Sequence, residues 1–269
     1  MLHEQRTAWK GRVIRFLEAG LGRPLILLHA FPLGADMWRP QLERVPRGWR
    51  FIAPDLRGFA GSTLDHEPGI GMNDYASDVL GLMDALQIDR AAIGGLSMGG
   101  YVTFAIFRRA PERLSALLLA DTKATADSEE GGRTRRAMLE TVRQKGVRAI
   151  ADEMLGKLLG DTSRRERPEV VAEVRRLIEA NSQAGMEAAI YALMTRPDST
   201  PDLLRIECPA LIVVGAEDGI TPVADAEALQ RSIRGSELSI LPGAGHVSNL
   251  EAPEEFSNTI TRWVASLQD

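Results

Sequence analysis

The feature that most constrains the fold is the stretch Ile93–Tyr101, which reads IGGLSMGGY. A single serine, Ser97, lies between two pairs of glycines where an apolar run gives way to a helical pattern. Glycines cluster at many strand-to-helix turns, because such turns need positive φ angles or close packing. The spacing is also typical of a nucleophile elbow, a strained turn that requires a strand before the serine, a helix after it, and an acid and a histidine later in the chain.

Length and charge exclude several classes of protein. A chain of 269 residues with 44% hydrophobic residues can bury a single large α/β core. A net charge of −5 provides no basic surface for a phosphate backbone, so nucleic acid is not expected as a partner. The N-terminal segment lacks the apolar core of a signal peptide, and no apolar run is long enough to cross a membrane. We therefore expect a cytoplasmic protein that does not associate with membranes.

Short apolar runs bounded by glycine, proline or aspartate alternate with segments of helical period. Helical patterns occur at Ala76–Leu86, with Asn73 as the expected N-cap, and after Pro253. This alternation predicts an α/β fold with a mostly parallel central sheet and helices on both faces. The apolar runs suit strands buried on both faces, and they are Leu25–Leu28, Phe51–Ala53, Ala91–Gly94, Leu114–Ala120, Ala210–Val214 and Leu238–Leu241.

Residues 122–200 break this alternation, because they contain helical patterns and no convincing strand. We therefore predict an inserted helical cap over residues 122–200, between core segments at residues 1–121 and 201–269. Acidic and basic residues are nearly balanced there, which is typical of solvated outer faces. The helical patterns are Met138–Val142, Ile150–Leu159, Val170–Ile178 and Met186–Met194, and the apolar residues expected to face a pocket are Leu155, Leu159, Ile190 and Met194.

The sequence around Ser97 supplies the local context that a nucleophile elbow requires. The strand Ala91–Gly94 precedes it and the helical pattern Met98–Arg108 follows it. Ser97 is thus predicted to stand at the carboxyl end of a central strand, where ligands bind in open α/β sheets. A serine hydroxyl is a weak nucleophile unless a base takes its proton, so a histidine is required.

The chain has four histidines. His3 lies in a terminus that we expect to fray, and His66 lies in a polar stretch, so both are expected to be solvated. His29 follows the first core strand and is expected to hold its loop by hydrogen bonds. His246 lies in LPGAGHVSNLEAP, between the last strand and the last helix, where its side chain can reach over the end of the sheet. It is the predicted base.

The base needs a carboxylate to orient it, and two aspartates compete for that role. Asp218 follows the strand Ala210–Val214, and Asp121 ends the strand Leu114–Ala120. The chain order serine, acid, histidine favours Asp218. The alternative role for Asp121 is a cap of the segment that follows it. Glu217 is a further candidate, although adjacent residues of a short loop point in different directions.

Acyl transfer also needs backbone N–H donors for the negative charge that develops on the carbonyl oxygen. One predicted donor is the amide of Met98, directly after the nucleophile. The second is the amide of Phe31 in the loop after the first core strand, because Pro32 has no N–H. No cluster with metal-ligand spacing and no dinucleotide fingerprint occurs, so no cofactor is expected.

Five motifs in a fixed order resemble the α/β-hydrolase fold superfamily over almost the whole chain. They read HAFPLGADMW, PDLRGFAGS, GGLSMGGY, VVGAEDGITP and PGAGHVSNLEAPEEF. Within the superfamily the chain is similar to bacterial carboxylesterases, 3-oxoadipate enol-lactonases and cofactor-free haloperoxidases. The resemblance implies a triad of Ser97, Asp218 and His246, oxyanion donors at Phe31 and Met98, and a lid formed by the insertion. Ala30 and Ala60 depart from the pattern, because the family usually has glycine at both positions.

These observations together predict a serine carboxylesterase for small esters, with acyl chains of about two to six carbons because an enclosed pocket cannot bury a long chain. The alternative is a lactone hydrolase of the enol-lactonase type, which would need a buried cation such as Arg135, Arg143 or Arg196. Dehalogenases of this fold carry aspartate at the elbow, which Ser97 argues against. A receptor that keeps the pocket is the non-enzymatic alternative. The Phe31-Pro32 pair also suggests perhydrolysis as a side activity, and the oligomeric state stays open.

Overall fold

The computed structural model of the chain describes residues 1–64 and 69–267. Within these residues eight strands form one sheet in the order β1-β2-β4-β3-β5-β6-β7-β8. The strands are β1 (Leu2–Trp9), β2 (Arg12–Gly20), β3 (Gly22–Leu28), β4 (Gly48–Pro54), β5 (Ala91–Leu96), β6 (Leu114–Ala120), β7 (Ala210–Gly215) and β8 (Glu237–Leu241). In this order, every pair of neighbours from β4 through β3 to β8 is parallel. Strand β2 pairs antiparallel with both β1 and β4. The predicted mostly parallel sheet is confirmed.

The first two strands were not predicted from the sequence. The expectation that the terminus around His3 frays is wrong, because β1 pairs with β2 in a register that runs from Leu2 opposite Ala19 to Trp9 opposite Arg12. Most side chains of β1 are exposed, so the strand carries no apolar run that would reveal it. His3 itself is exposed within β1, and His66 lies outside the described residues.

The central strands are the most deeply buried part of the molecule. Every residue of β5 and β7 is buried, as expected for strands covered on both faces. The same expectation is wrong for β8, which forms the edge of the sheet, has one fully buried residue and leaves Ile240 exposed. Ser97 follows β5, which lies between β3 and β6, so the serine stands near the middle of the sheet.

Helices cover the sheet and α3 packs directly on β3, β5 and β6. Helix α2 begins at Met72 rather than at an Asn73 N-cap, because the side chain of Asp74 turns back to accept the amide proton of Gly71 at 2.8 Å. The helices are α1 (Arg39–Leu42), α2 (Met72–Ala85), α3 (Met98–Arg109), α4 (Glu129–Leu158), α5 (Asp161–Glu166), α6 (Pro168–Glu179), α7 (Gln183–Met194), α8 (Thr200–Leu203), α9 (Val223–Ser232), α10 (Ser248–Glu251) and α11 (Pro253–Ser266).

The helical insertion, residues 122–200, contains α4 to α7 and the start of α8, and all of its residues are described. The chain kinks inside α4 at Gly146, where φ is 75°, and the two predicted helical patterns of this region lie on either side of the kink. Of the residues predicted to face inward, Leu155, Leu159 and Ile190 are buried and Met194 is partly buried. Even the 30-residue α4 is too polar to cross a bilayer, and no other described helix is suited to do so.

Candidate active site

Ser97 occupies the strained turn between β5 and α3. Its φ of 55° and ψ of −110° lie in a region that residues with a side chain rarely adopt. The amide of Ser97 donates to the carbonyl of Ala120 at 2.9 Å, and its own carbonyl accepts from the amide of Gly100 and the hydroxyl of Thr122, each at 2.9 Å. These hydrogen bonds tie the strained turn to the end of β6.

The glycines around Ser97 are explained by close backbone approach. A Cβ added at Gly95 would overlap the carbonyl of Gly99, across the turn itself. A Cβ added at Gly99 would overlap the carbonyl oxygen of Leu28, at the end of β3. The turn can therefore form between β3 and β6 only when these positions lack side chains.

The structure brings Ser97, His246 and Asp218 together in one line of hydrogen bonds. The Oγ of Ser97 lies 2.8 Å from Nε2 of His246, and Nδ1 of His246 lies 2.8 Å from Oδ2 of Asp218. Asp218 and His246 are 5% and 2% exposed, whereas Ser97 is partly accessible. The hydroxyl is thus open to a ligand while the histidine and the acid are shielded from water.

Asp218 is held by its own loop. Its Oδ1 accepts the amides of Ile220 at 2.8 Å and Thr221 at 3.0 Å, and its Oδ2 accepts the hydroxyl of Thr221 at 2.7 Å. Burial raises the pKa of this carboxyl, but the charge of His246 and these hydrogen bonds outweigh burial and hold the pKa below its usual value. Thr221 was missed in the sequence, where the only local signal is that a loop aspartate tends to accept from the backbone two residues later, here Ile220.

Asp121 lies at the end of the neighbouring strand but does not contact the histidine in the described hydrogen bonds. Its Oδ1 accepts the amide of Gly215 at 2.9 Å, and its Oδ2 accepts the hydroxyl of Ser248 at 2.5 Å. Burial, followed by the charge of Asp218, raises its pKa well above the usual value. The alternative role as a helix cap is wrong, because the next helix begins at Glu129 and Ser128 caps it.

Glu217 is also directed away from the histidine. Its carboxylate accepts the amide of Thr162 at 2.8 Å and the hydroxyl of Thr162 at 2.5 Å, so it joins the loop of Asp218 to the helical insertion. Its pKa is lowered, first by the hydroxyl of Thr162 and then by the amide. The position next to Asp218 thus serves as a contact with the insertion.

The two predicted oxyanion donors flank Ser97 on neighbouring elements. Met98 is the first residue of α3, so its amide has no acceptor within the helix. Phe31 follows β3, and β3 pairs with β5 so that Leu28 stands opposite Gly95. This pairing brings the loop that contains Phe31 beside the turn that contains Ser97. The role of both amides stays a prediction.

His29 holds that loop, as expected from the sequence. It is fully buried, its Nε2 accepts the amide of Leu56 at 2.9 Å, and its Nδ1 donates to the carbonyl of Ala30 at 3.0 Å. Burial lowers its pKa, so the ring is neutral and each nitrogen has one role.

The helical insertion reaches the same loop through Asn181. Its Nδ2 donates to the carbonyls of Pro32 and Leu177, each at 2.9 Å, and its Oδ1 accepts the amide of Ala60 at 2.9 Å. Ala60 has a φ of 41°, which explains why the family usually has glycine there. Asn181 was missed because nothing in its local sequence marks a contact with so distant a segment.

The three arginines that the sequence offered as cations for a lactone substrate are engaged in ion pairs. Arg196 is 6% exposed, pairs with Asp127 at 2.8 Å and donates to the carbonyls of Leu193 and Thr125, each at 3.0 Å. Arg135 pairs with the other oxygen of Asp127 at 3.3 Å. Arg143 pairs with Glu187 on the exposed surface at 2.9 Å.

Known proteins share this sequence pattern and fold. A family model described as "alpha/beta hydrolase fold" matches residues 23–253. The structure of a thermophilic esterase from Thermogutta terrifontis superposes with a TM-score of 0.93, at 37% identity, covering 99% of this chain and 100% of that one. An enol-lactonase from Burkholderia xenovorans superposes with a TM-score of 0.89, at 27% identity, covering 97% of this chain and 100% of that one. A 3-oxoadipate enol-lactonase from Acinetobacter baylyi is 29% identical over 236 residues, which are 88% of this chain and 86% of that protein.

Proposed function

We propose that this chain, which belongs to the alpha/beta hydrolase family, is a serine carboxylesterase that hydrolyses short-chain carboxylic esters. The observation that carries the proposal is the line of hydrogen bonds from Ser97 through His246 to Asp218, with both links at 2.8 Å. A nucleophile, a base and an orienting acid in this order form the arrangement that activates a serine hydroxyl.

In the proposed reaction, Nε2 of His246 takes the proton of the Ser97 hydroxyl while Oγ attacks the carbonyl carbon of the ester. The amides of Phe31 and Met98 donate to the oxyanion of the tetrahedral intermediate. His246 then gives its proton to the leaving alcohol, and the acyl group remains on Ser97. Water, activated by the same histidine, repeats the attack and releases the acid.

Asp218 would orient the imidazole and stabilise its positive charge during both steps. Its lowered pKa supports this role, because the carboxyl is then ionised whenever the histidine must become charged. Thr221 would keep the carboxylate in the correct orientation, since its hydroxyl donates to the oxygen that faces His246.

The substrate class is the second part of the proposal. The apolar residues Leu155, Leu159 and Ile190 of the helical insertion are buried in the hydrophobic core, and Leu159 adjoins Leu158, which accepts the amide of His246, so an acyl site beside them would be apolar. The ion pairs of Arg135, Arg143 and Arg196 favour a neutral ester, because these guanidinium groups already have carboxylate partners. The esterase relative from Thermogutta terrifontis is consistent with this choice.

A series of p-nitrophenyl esters tests the proposal. We expect kcat/KM to be highest for acyl chains of about two to six carbons and to fall steeply for longer chains, because an enclosed site cannot bury them. Hydrolysis that is fastest for long-chain triglycerides would contradict the short-chain claim. Binding of esters without turnover would instead favour the receptor alternative.

Lactone hydrolysis is the second candidate, because two of the relatives above are enol-lactonases. The decisive comparison is kcat/KM for a neutral short-chain ester against an anionic enol-lactone, measured with one enzyme preparation. The proposal predicts a preference for the neutral ester. A strong preference for the anion would reverse the ranking and would make the ester activity incidental.

A further inference from the structure

A buried carboxylate, Glu251, lies against the loop that carries His246. Glu251 ends α10 and is fully buried. Its Oε1 accepts the amide of Gly245 at 2.9 Å and that of Val247 at 3.3 Å. Its Oε2 accepts the amide of Gly160, in the helical insertion, at 2.8 Å. One side chain therefore joins the residues on both sides of His246 to the insertion.

The backbone of His246 makes a second contact with the same part of the insertion. Its amide donates to the carbonyl of Leu158 at 2.9 Å. Gly245 packs so closely on Gly160 that an added Cβ would overlap the Gly160 backbone. The three consecutive amides at residues 245–247 are thus each held by Glu251 or by Leu158, and the loop has little freedom to move alone.

The chemistry of the contact explains why a carboxylate stands there. All three partners of Glu251 named above are N–H donors, and an ionised carboxylate offers two acceptor oxygens and no donor. Burial raises the pKa of Glu251 above its usual value, although the hydroxyl of Ser163 and the amides of Gly160, Gly245 and Val247 favour the ionised form. Among the described residues Glu251 has no salt bridge to a basic side chain, so its hydrogen bonds are the interactions that offset part of the cost of burying it.

We propose that Glu251 is a positioning residue for His246, holding the base loop against the helical insertion so that Nε2 stays within hydrogen-bond reach of Ser97. The inference rests on the proposed function, since it assigns Glu251 a part in the same reaction. A displacement of about 1 Å in a reacting group can lower the rate about 100-fold, so a small shift of this loop would be costly.

Two variants test the proposal. In Glu251→Gln, the new NH₂ group must face one of the amides that now donate to the carboxylate. In Glu251→Asp the charge remains, but the shorter side chain cannot reach Gly160 and the base loop together. For a short-chain ester we expect both variants to lower kcat about 10- to 100-fold and to change KM by less than about twofold, because chemistry rather than substrate contact is affected.

Asp202→Asn is the matched control. Asp202 is also a buried carboxylate, at 7% exposure, but its partner is Arg108 at 2.8 Å, on the opposite end of α3 from Ser97. We expect its kcat to stay close to that of the wild type. The proposal is wrong if Glu251→Asp keeps wild-type kcat, if KM rises while kcat is unchanged, or if the control loses as much kcat as the Glu251 variants.

Hydrogen exchange of the wild-type protein tests the proposal even if neither Glu251 variant folds. We expect the amides of Gly160, Gly245 and Val247 to exchange slowly and at similar rates, because a single side chain holds them. Rapid exchange at Gly245 and Val247 would overturn the inference. Ser97→Ala separates the two proposals: if that variant keeps its activity the proposed function fails, whereas an inactive Ser97→Ala beside fully active Glu251 variants removes only the role of Glu251.

Discussion

The ends of β6 and β7 carry two buried aspartates that differ in what they face. Asp121 accepts hydrogen bonds from the amide of Gly215 and the hydroxyl of Ser248, whereas Asp218 faces the imidazole of His246. Burial raises the pKa of both carboxyls, but only Asp218 has an ionisable partner that brings its pKa below the usual value. The comparison teaches that the partner, and not the position at a strand end, decides which acid can stabilise a charged base.

The contacts of Asp121 indicate a structural role at the same sheet edge. By accepting from Gly215 and Ser248, it connects the last residue of β7 to the first residue of α10. The loops of Asp218 and His246 begin and end at these elements. Asp121 therefore supports the arrangement of the site without contacting the histidine.

The largest expected effect is on kcat when Ser97, the proposed nucleophile, is removed. Ser97→Ala should lower kcat about 10⁶-fold, because the hydroxyl supplies the covalent step, while the fold is retained. Adding Asp218→Asn to this variant should cause almost no further loss, since the two residues act as one unit. Ester kinetics with circular dichroism as the folding control measure both. A large additional loss in the double variant would show that Asp218 acts independently of Ser97.

Exchanging each aspartate for asparagine sharpens the comparison directly. Asp218→Asn should lower kcat about 10⁴-fold, because an amide no longer stabilises the imidazolium or selects its tautomer. Asp121→Asn should lose far less activity than Asp218→Asn, since Asp121 does not contact His246, even though its new NH₂ group would face the amide of Ser248 that now donates to Oδ2 at 3.3 Å. The measurement is kcat for one ester. Equal losses in the two variants would mean that the acid is wrongly assigned.

The pH dependence of kcat/KM should separate the two carboxyls again. Only a neutral imidazole can accept the serine proton, so kcat/KM should fall as the pH is lowered from about 8 to 5. Asp218 adds no second limb near neutral pH, because its lowered pKa keeps it ionised there. Asp121→Asn should leave the profile unchanged. A flat profile between about pH 5 and 8 in single-turnover experiments would argue against a histidine base.

The smallest effect is on stability, and here the two aspartates should differ in sign. The lowered pKa of Asp218 stabilises the fold above its unfolded pKa of about 4, and this contribution is lost as pH falls through the folded pKa. The raised pKa of Asp121 contributes stability below about pH 4 that is lost as pH rises through the folded pKa.

Urea unfolding at about pH 4 and 7 measures this difference, since each unit of pKa shift corresponds to about 1.4 kcal/mol. Relative to wild type, Asp218→Asn should be more destabilising at the higher pH, and Asp121→Asn should be less destabilising there. Changes of the same sign in both variants would contradict the pKa directions.

The sequence predicted the parallel core, and it singled out the three side chains that the structure brings together, because both leave local signals. Strands buried on both faces read as short apolar runs, and the elbow around Ser97 combines a fixed spacing with a strand and a helix. His246 was identified by elimination among four histidines. Strand β1 escaped prediction because an antiparallel edge with exposed side chains has no apolar run, and β2 escaped because Arg15 interrupts its buried apolar residues.

Other parts of the site could not be predicted, because they depend on contacts between distant segments. Asn181 meets Pro32 across 149 positions of the chain, and Glu251 meets Gly160 across 91. A buried carboxylate whose partners are mostly backbone amides has no sequence signature, since every residue type except proline carries such an amide. Such residues become visible only when the fold brings their partners together.

The most direct test of the account is to label the nucleophile covalently with a phosphonate and to locate the phosphonyl adduct. A p-nitrophenyl phosphonate should modify the protein with a stoichiometry of one, and mass spectrometry of the digested protein should find the adduct on Ser97. Ser97→Ala should remain unlabelled, and Asp218→Asn should be labelled far more slowly than Asp121→Asn. An adduct on another residue, or labelling of Ser97→Ala at the wild-type rate, would contradict Ser97 as the nucleophile.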